Sequence, residues 1–140
     1  MKALVVYYSK TGKTKLVAKE IAGTLNANIR SVEEIKKRKG FLGFISDVSH
    51  ARKEKCSEIT EIKPMDFNLD NYDLLFLGTP VWALKPTPAI NTFISKANFK
   101  DKKVIIFVTM AAFGGETVIK LMREKIEREK EKYNKKWRYV

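Results

Sequence analysis

Ala3-Leu4-Val5-Val6-Tyr7-Tyr8-Ser9-Lys10-Thr11-Gly12-Lys13-Thr14 is the stretch from which the rest of the chain is read. Residues 2–8 are apolar almost throughout, which predicts a strand buried on both faces, as in a parallel sheet. Residues 13–25 predict a helix, with Val17, Ile21 and Leu25 every four positions and Lys15, Lys19 and Glu20 off that stripe. The loop between them sits at a helix N-terminus, where backbone N–H groups lack partners and the dipole attracts anions. Its tail, Gly12-Lys13-Thr14, echoes an ATPase phosphate loop. That loop needs Gly-x-x-x-x-Gly-Lys-[Ser/Thr], and Tyr7 stands where the first glycine belongs. No magnesium-binding aspartate ends a later strand either, since Asp73 begins one. Ser9, Thr11 and Thr14 around Gly12 suit a terminal monophosphate, which has three free oxygens to satisfy. A plain helix cap needs one hydroxyl; three hydroxyls with a glycine favour phosphate.

The alternation continues outward. Residues 28–33 predict a weaker strand, and residues 41–54, after the basic run Lys36-Lys37-Arg38-Lys39, a helix with Phe41, Ile45 and Val48 on one face. Residues 56–72 are polar and irregular. Asp73-Leu74-Leu75-Phe76-Leu77-Gly78 and Lys103-Val104-Ile105-Ile106-Phe107-Val108-Thr109 predict two more buried strands. Residues 88–97 predict a helix introduced by Pro86 and Pro88, and residues 116–131 a helix with Val118, Met122 and Ile126 on one side. Tyr133 to Val140 is short and basic and reads as a final edge strand. Buried strands alternating with helices give an α/β fold, a doubly wound parallel sheet. The expectation is one domain over residues 1–140, with five strands in the order 2-1-3-4-5. Ligands of such sheets bind at the carboxyl ends of the strands, where the winding reverses. The chemistry is therefore expected in the loops after Tyr8, Leu77 and Val108.

The other two loops carry unusual residues. Gly78-Thr79-Pro80-Val81-Trp82-Ala83 contains a tryptophan, which either offers a flat face to a flat ring or plugs the end of the sheet. Thr109-Met110-Ala111-Ala112-Phe113-Gly114-Gly115-Glu116 has paired glycines, which admit close approach of a ligand or serve a plain turn.

The totals narrow the classes. A chain of 140 residues with 44% apolar content supports one hydrophobic core. No apolar stretch approaches the roughly 20 residues of a membrane span, so no membrane role is expected. One cysteine, Cys56, cannot form an internal disulfide, and a cytoplasmic location is expected. The net charge of +12 fits an acidic partner or a Lys/Glu-rich surface of the heat-adapted kind. Nucleic acid is not expected, because the charge is spread along the chain without interleaved aromatics. His50 and Cys56 stand alone, so no metal site and no catalytic side chain is assigned.

Together, Ser9-x-Thr11-Gly12-x-Thr14, Gly78-Thr79-Pro80-Val81-Trp82 and Thr109-x4-Gly114-Gly115 resemble the loops of the flavodoxin-like flavoproteins. Tyr72-Asp73 and Pro86-x-Pro88 fit as well, and the resemblance extends from residue 1 to about residue 128. It implies bound FMN. Ser9, Lys10, Thr11, Gly12, Lys13 and Thr14 would hold the phosphate. Thr79, Pro80, Val81, Trp82 and Ala83, with Thr109, Met110, Ala111, Phe113, Gly114 and Gly115, would flank the isoalloxazine, Trp82 stacking on it. The implied function is electron transfer. The alternatives are an NAD(P)H-dependent quinone-type reductase of the same fold, or a flavin-free binding module that uses its basic surface.

The chain departs from the family in three places. Lys13 stands where carriers often have asparagine; the charge is basic where carriers are usually acidic; and no final helix of normal length fits after residue 131. The sheet face that helix covers is expected to be closed by a second copy of the chain or by a folded-back tail of Tyr133, Trp137 and Tyr139. Lys10, Lys13 and Lys85 are expected to favour the anionic reduced flavin and raise its potential. An acidic redox protein or a small electron acceptor is the expected partner.

Overall fold

The computed structural model describes residues 2–35, 62–63 and 68–138, without the side chains of 133–138. Its main sheet has four parallel strands: β1 (Ala3–Tyr7), β2 (Asn28–Ser31), β5 (Leu74–Pro80) and β6 (Lys103–Thr109), in the order β2-β1-β5-β6. β3 (Glu33–Glu34) and β4 (Ile62–Lys63) pair antiparallel as a separate ribbon. The helices are α1 (Lys13–Leu25), α2 (Pro88–Lys96) and α3 (Gly115–Arg138). The chain winds from β1 outward to β2, then returns to the other side of β1 through β5 to β6, so the winding reverses at β1 as the strand pattern requires. This is the doubly wound α/β sheet expected, over its first four positions. No fifth strand of this sheet occurs among the described residues.

The two sheet faces are filled differently. Leu4, Val6, Leu75 and Leu77 face a core shared with Ile90, Phe93 and Ile94 of α2 and Val118, Met122 and Ile126 of α3. The stripe read on α3 is thus the buried one. On the other face Val5 and Tyr7 meet Ala18 and Ala22 of α1. Here the structure corrects the sequence reading. Val17 and Leu25 are 38% and 50% exposed, and the buried residues of α1 are Thr14, Ala18 and Ala22. Two alanines one turn apart let the helix lie close on Val5 and Tyr7, where the larger side chains would hold it off.

Register places Val5, Phe76 and Ile105 side by side across this face, with Tyr7, Gly78 and Phe107 in the next row. Ile105 is 46% exposed, and Phe76 and Phe107 are half-buried. The Phe107 ring lies over Gly78 so closely that a Cβ there would overlap it.

The C-terminus differs from the expected edge strand or folded-back tail. Residues 133–138 continue α3, whose buried stripe lies on the opposite face. Glu127–Lys130 (3.9 Å) and Glu129–Lys132 (3.1 Å) pair at helical spacing. The helix read over 41–54, His50 and Cys56 lie outside the described residues. No helix among the described residues is long and apolar enough to cross a membrane.

Candidate functional site

β1, β5 and β6 end together, and the three loops that leave them meet. The Tyr8 N–H donates to the Gly78 carbonyl at 3.1 Å, carrying the β1–β5 pairing one residue past β1. The Ser9 hydroxyl then accepts the Gly12 N–H at 3.0 Å, closing the turn into α1. Gly12 is the N-cap with φ 98°, and no side chain caps the helix. A side chain at Gly12 meets open space, so the glycine is demanded by its left-handed backbone, which costs other residues about 1–2 kcal/mol. The first turn of α1 holds no acidic residue, and Lys10, Thr11 and Lys13 are exposed beside it. An open helix N-terminus flanked by two lysines attracts an anion.

Thr14 behaves differently from Ser9 and Thr11. It is 2% exposed, and its hydroxyl pairs with that of Thr109 at 2.7 Å. The first loop is thereby tied to the end of β6, which is far away in sequence. The Val81 N–H donates to the Thr109 carbonyl at 2.9 Å, so Thr109 also holds the second loop. Thr79 is fully buried and works as a clamp. Its hydroxyl donates to the Pro80 carbonyl (2.9 Å) and accepts the Thr87 N–H (3.2 Å), fixing the path from β5 into α2.

Trp82 stands half-buried at the centre. Tyr8 meets it edge-on with centroids 5.7 Å apart, and the Lys10 ammonium lies 5.9 Å from its ring centre. Trp82 and Lys85 exchange two backbone hydrogen bonds of 2.9 Å, closing a two-residue turn. Its central residues, Ala83 and Leu84, have φ of 50° and 63°, positions usually filled by Asn-Gly or Asp-Gly. Leu84 leans on Gly114, where a Cβ would come within 2.7 Å of the leucine Cδ2 and where φ is 101°. Gly115, buried at the start of α3, is overhung by Met110 at 3.0 Å and Val108 at 3.2 Å from where a Cβ would lie. Pro80 and Val81 are half-buried, and Ala83, Ala111 and Ala112 are exposed.

The outer rim is apolar. Leu84 is 45%, Met110 54% and Phe113 74% exposed. Leu84 escaped the sequence reading, because Ala83-Leu84 has none of the residues that announce a turn. The loops 8–14, 81–87 and 109–115 carry Lys10, Lys13 and Lys85 and no carboxylate. A pocket of about 300 Å³ lined by Lys2, Ala3, Leu25, Asn26 and Asn28 lies at the other end of the sheet and gathers no catalytic group.

The fold is shared with solved flavoproteins. A flavoprotein from Lactobacillus acidophilus, solved in complex with FMN, has 24% identity and a TM-score of 0.76, covering 89% of this chain and 85% of that one. A flavoprotein of Bacteroides uniformis, itself assigned only provisionally, has 28% identity and a TM-score of 0.75, covering 88% and 81%. A flavodoxin, WrbA-like protein from Agrobacterium tumefaciens has 17% identity and a TM-score of 0.61, covering 92% and 73%. No curated protein matches significantly in sequence. A family model for flavodoxin matches residues 2–136, which takes in all three loops and nearly the whole chain. The loops at the carboxyl edge are thus those of a family fold, and the chain belongs to the flavodoxin family.

Proposed function

We propose that the protein binds FMN at this edge and passes electrons through it. The observation that carries the reading is the meeting of the three loops at Thr109, whose hydroxyl holds Thr14 and whose carbonyl holds Val81. That junction sets an uncapped helix N-terminus beside Trp82 and a rim of exposed apolar side chains. The residues suit the group. Ser9, Thr11 and the amides after Gly12 offer donors for a dianionic phosphate, with Lys10 and Lys13 adding charge. Thr14 stays within reach of the same end, because a hydroxyl can donate once while accepting another bond. Trp82, Met110 and Phe113 offer apolar surface to a flat ring, while Gly114 and Gly115 make room for Leu84, Val108 and Met110 in the turn into α3.

When bound, FMN supplies the one- and two-electron chemistry; the chain binds, orients and sets the charge around it. No residue of the loops is needed as a catalytic acid or base. Lys10, beside Trp82, stabilises negative charge placed near that ring.

The test is titration of the purified protein with FMN, followed by flavin absorbance and fluorescence. Saturable uptake with quenched flavin emission is expected. A colourless protein that leaves added FMN unperturbed contradicts the reading and points to a flavin-free binding module. Steady-state consumption of NAD(P)H with a quinone would replace the carrier by a reductase.

A further inference from the structure

We propose that the outward face of α1 is a self-complementary interface on which a second copy of the chain packs, the two α1 helices lying antiparallel. Thr14, Ala18 and Ala22 are buried against the sheet. Leu16 and Glu20 stand two residues beyond the first two of these, about 200° round the helix. Lys19 and Gly23 share that outward side, at the three- and four-residue spacings of one helix face. All four are exposed. α1 is also the only described helix packed on its face of the sheet, since α2 and α3 fill the other. It therefore forms a ridge that another helix can reach.

Three observations on this ridge select a second copy. Leu16 is 65% exposed, the most of any large aliphatic side chain among the described residues. Gly23, two turns on, weakens an exposed helix relative to alanine. Nothing lies within 4 Å of where its Cβ would be, so no contact among the described residues asks for a glycine. Lys19 and Glu20, between the two, carry opposite charges, and neither has an ion-pair partner among the described residues. Antiparallel pairing about an axis between Lys19 and Glu20 uses all three features at once. It sets Leu16 of each copy in the space over Gly23 of the other, a knob entering a hole. It also sets Lys19 of each beside Glu20 of the other, so the charges match in both directions. Parallel pairing would instead oppose Lys19 to Lys19 and leave glycine facing glycine. A ridge of 13 residues, ~20 Å long, buries less than the ~800 Å² per partner of a standard interface, so the dimer is of the weak, exchanging kind. α1 starts at the carboxyl edge of the sheet, so the antiparallel pair holds the two carboxyl edges at opposite ends, both open. The interface shares no residue with the loops there and stands whether or not FMN binds.

The test is sedimentation velocity of the protein from about 0.01 to about 1 mM, in ~0.15 M salt, where a Debye length of ~8 Å screens the repulsion between two basic chains. The weight-average mass is expected to rise with concentration from 16.1 kDa towards twice that value. Gly23→Gln fills the hole and should weaken the dimer at least about tenfold. The same variant should melt at or above the wild-type temperature, because its side chain meets open space in the single chain. Lys19→Glu and Glu20→Lys each set like charges across the axis, and each should weaken the dimer about threefold or more. The double exchange, Lys19→Glu with Glu20→Lys, restores both pairs at the wild-type net charge and should return the Kd to within about twofold of the original. A protein that stays at 16.1 kDa throughout overturns the interface. So does a dimer that Gly23→Gln leaves as tight as before, or a double exchange no tighter than the weaker single variant. Should Gly23→Gln melt early, the charge exchange alone decides, because Lys19 and Glu20 are exposed and their exchange touches no buried group.

Discussion

The two edges of the parallel sheet are built to different rules. At the amino edge, polar groups find partners. The Lys2 N–H donates to Asp73 (3.1 Å), its ammonium lies over the Tyr72 ring, and the Asn28 amide donates to the Tyr72 hydroxyl (2.7 Å). Lys102 donates to the Tyr72 carbonyl (2.9 Å), and Lys130 reaches from α3 to the Lys102 carbonyl (3.0 Å). Positive φ at this edge falls on Asn26 and Asp101, residue types that tolerate it. At the carboxyl edge positive φ falls on Ala83 and Leu84 as well as on Gly12 and Gly114, the starts of α1 and α2 have no side-chain cap, and Leu84, Met110 and Phe113 face solvent. One edge is arranged for stability. The other carries strain at Ala83 and Leu84 and exposure at Met110 and Phe113, as expected of an edge given over to the proposed ligand site.

Five substitutions sharpen or break that contrast. Gly12→Val should have the largest effect. It forces a β-branched residue into the left-handed region, costing about 1–2 kcal/mol of stability, and distorts the phosphate turn, weakening FMN binding about a hundredfold, or ~2.8 kcal/mol. Chemical denaturation and FMN titration read the two parts separately. Trp82→Ala removes the stacking face and should weaken FMN binding by about 1–3 kcal/mol, the range for aromatic stacking on a nucleobase, measured as the flavin dissociation constant. Lys10→Met removes a cation from beside that ring and should lower the two-electron midpoint potential by about 30 mV, a tenfold change in the ratio of reduced to oxidised flavin affinity; spectroelectrochemistry reads it. A very low wild-type potential for the final reduction would contradict the role given to these lysines. Tyr72→Phe, at the amino edge, should cost about 1 kcal/mol of stability through the lost Asn28 bond and leave FMN affinity unchanged. Ala83→Gly should raise stability by about 0.5 kcal/mol, because glycine accepts the left-handed backbone. A loss of stability on thermal melting would show that the turn is not strained.

Much of this was legible in the sequence because it rests on long apolar runs and on loops placed by strand order. The strands around Val5, Leu75 and Ile106 and the buried stripe of α3 followed from periodicity, and the order of the strands brought the three loops together. What escaped depends on contacts between distant segments. Large side chains mark a helix face in sequence, yet on α1 the close approach to Val5 selects Ala18 and Ala22. Ser9, Thr11 and Thr14 look equivalent as hydroxyls, but burial against Thr109 separates Thr14 from the others. The turn at Ala83-Leu84 has no signal of its own, since it is held by the Trp82–Lys85 pair and by the gap over Gly114. At the C-terminus Tyr133 and Trp137 are four apart, a spacing that shares one face in helix and strand alike, and the chain continues as helix.

The most direct test of an FMN site at the carboxyl edge is a pair of flavin titrations, on wild-type protein and on Trp82→Ala. Saturable binding by the wild type with quenched flavin fluorescence, weakened in a Trp82→Ala protein that still folds, is the predicted result. Equal binding by both proteins would take the flavin away from Trp82, and no binding by either would contradict the site altogether.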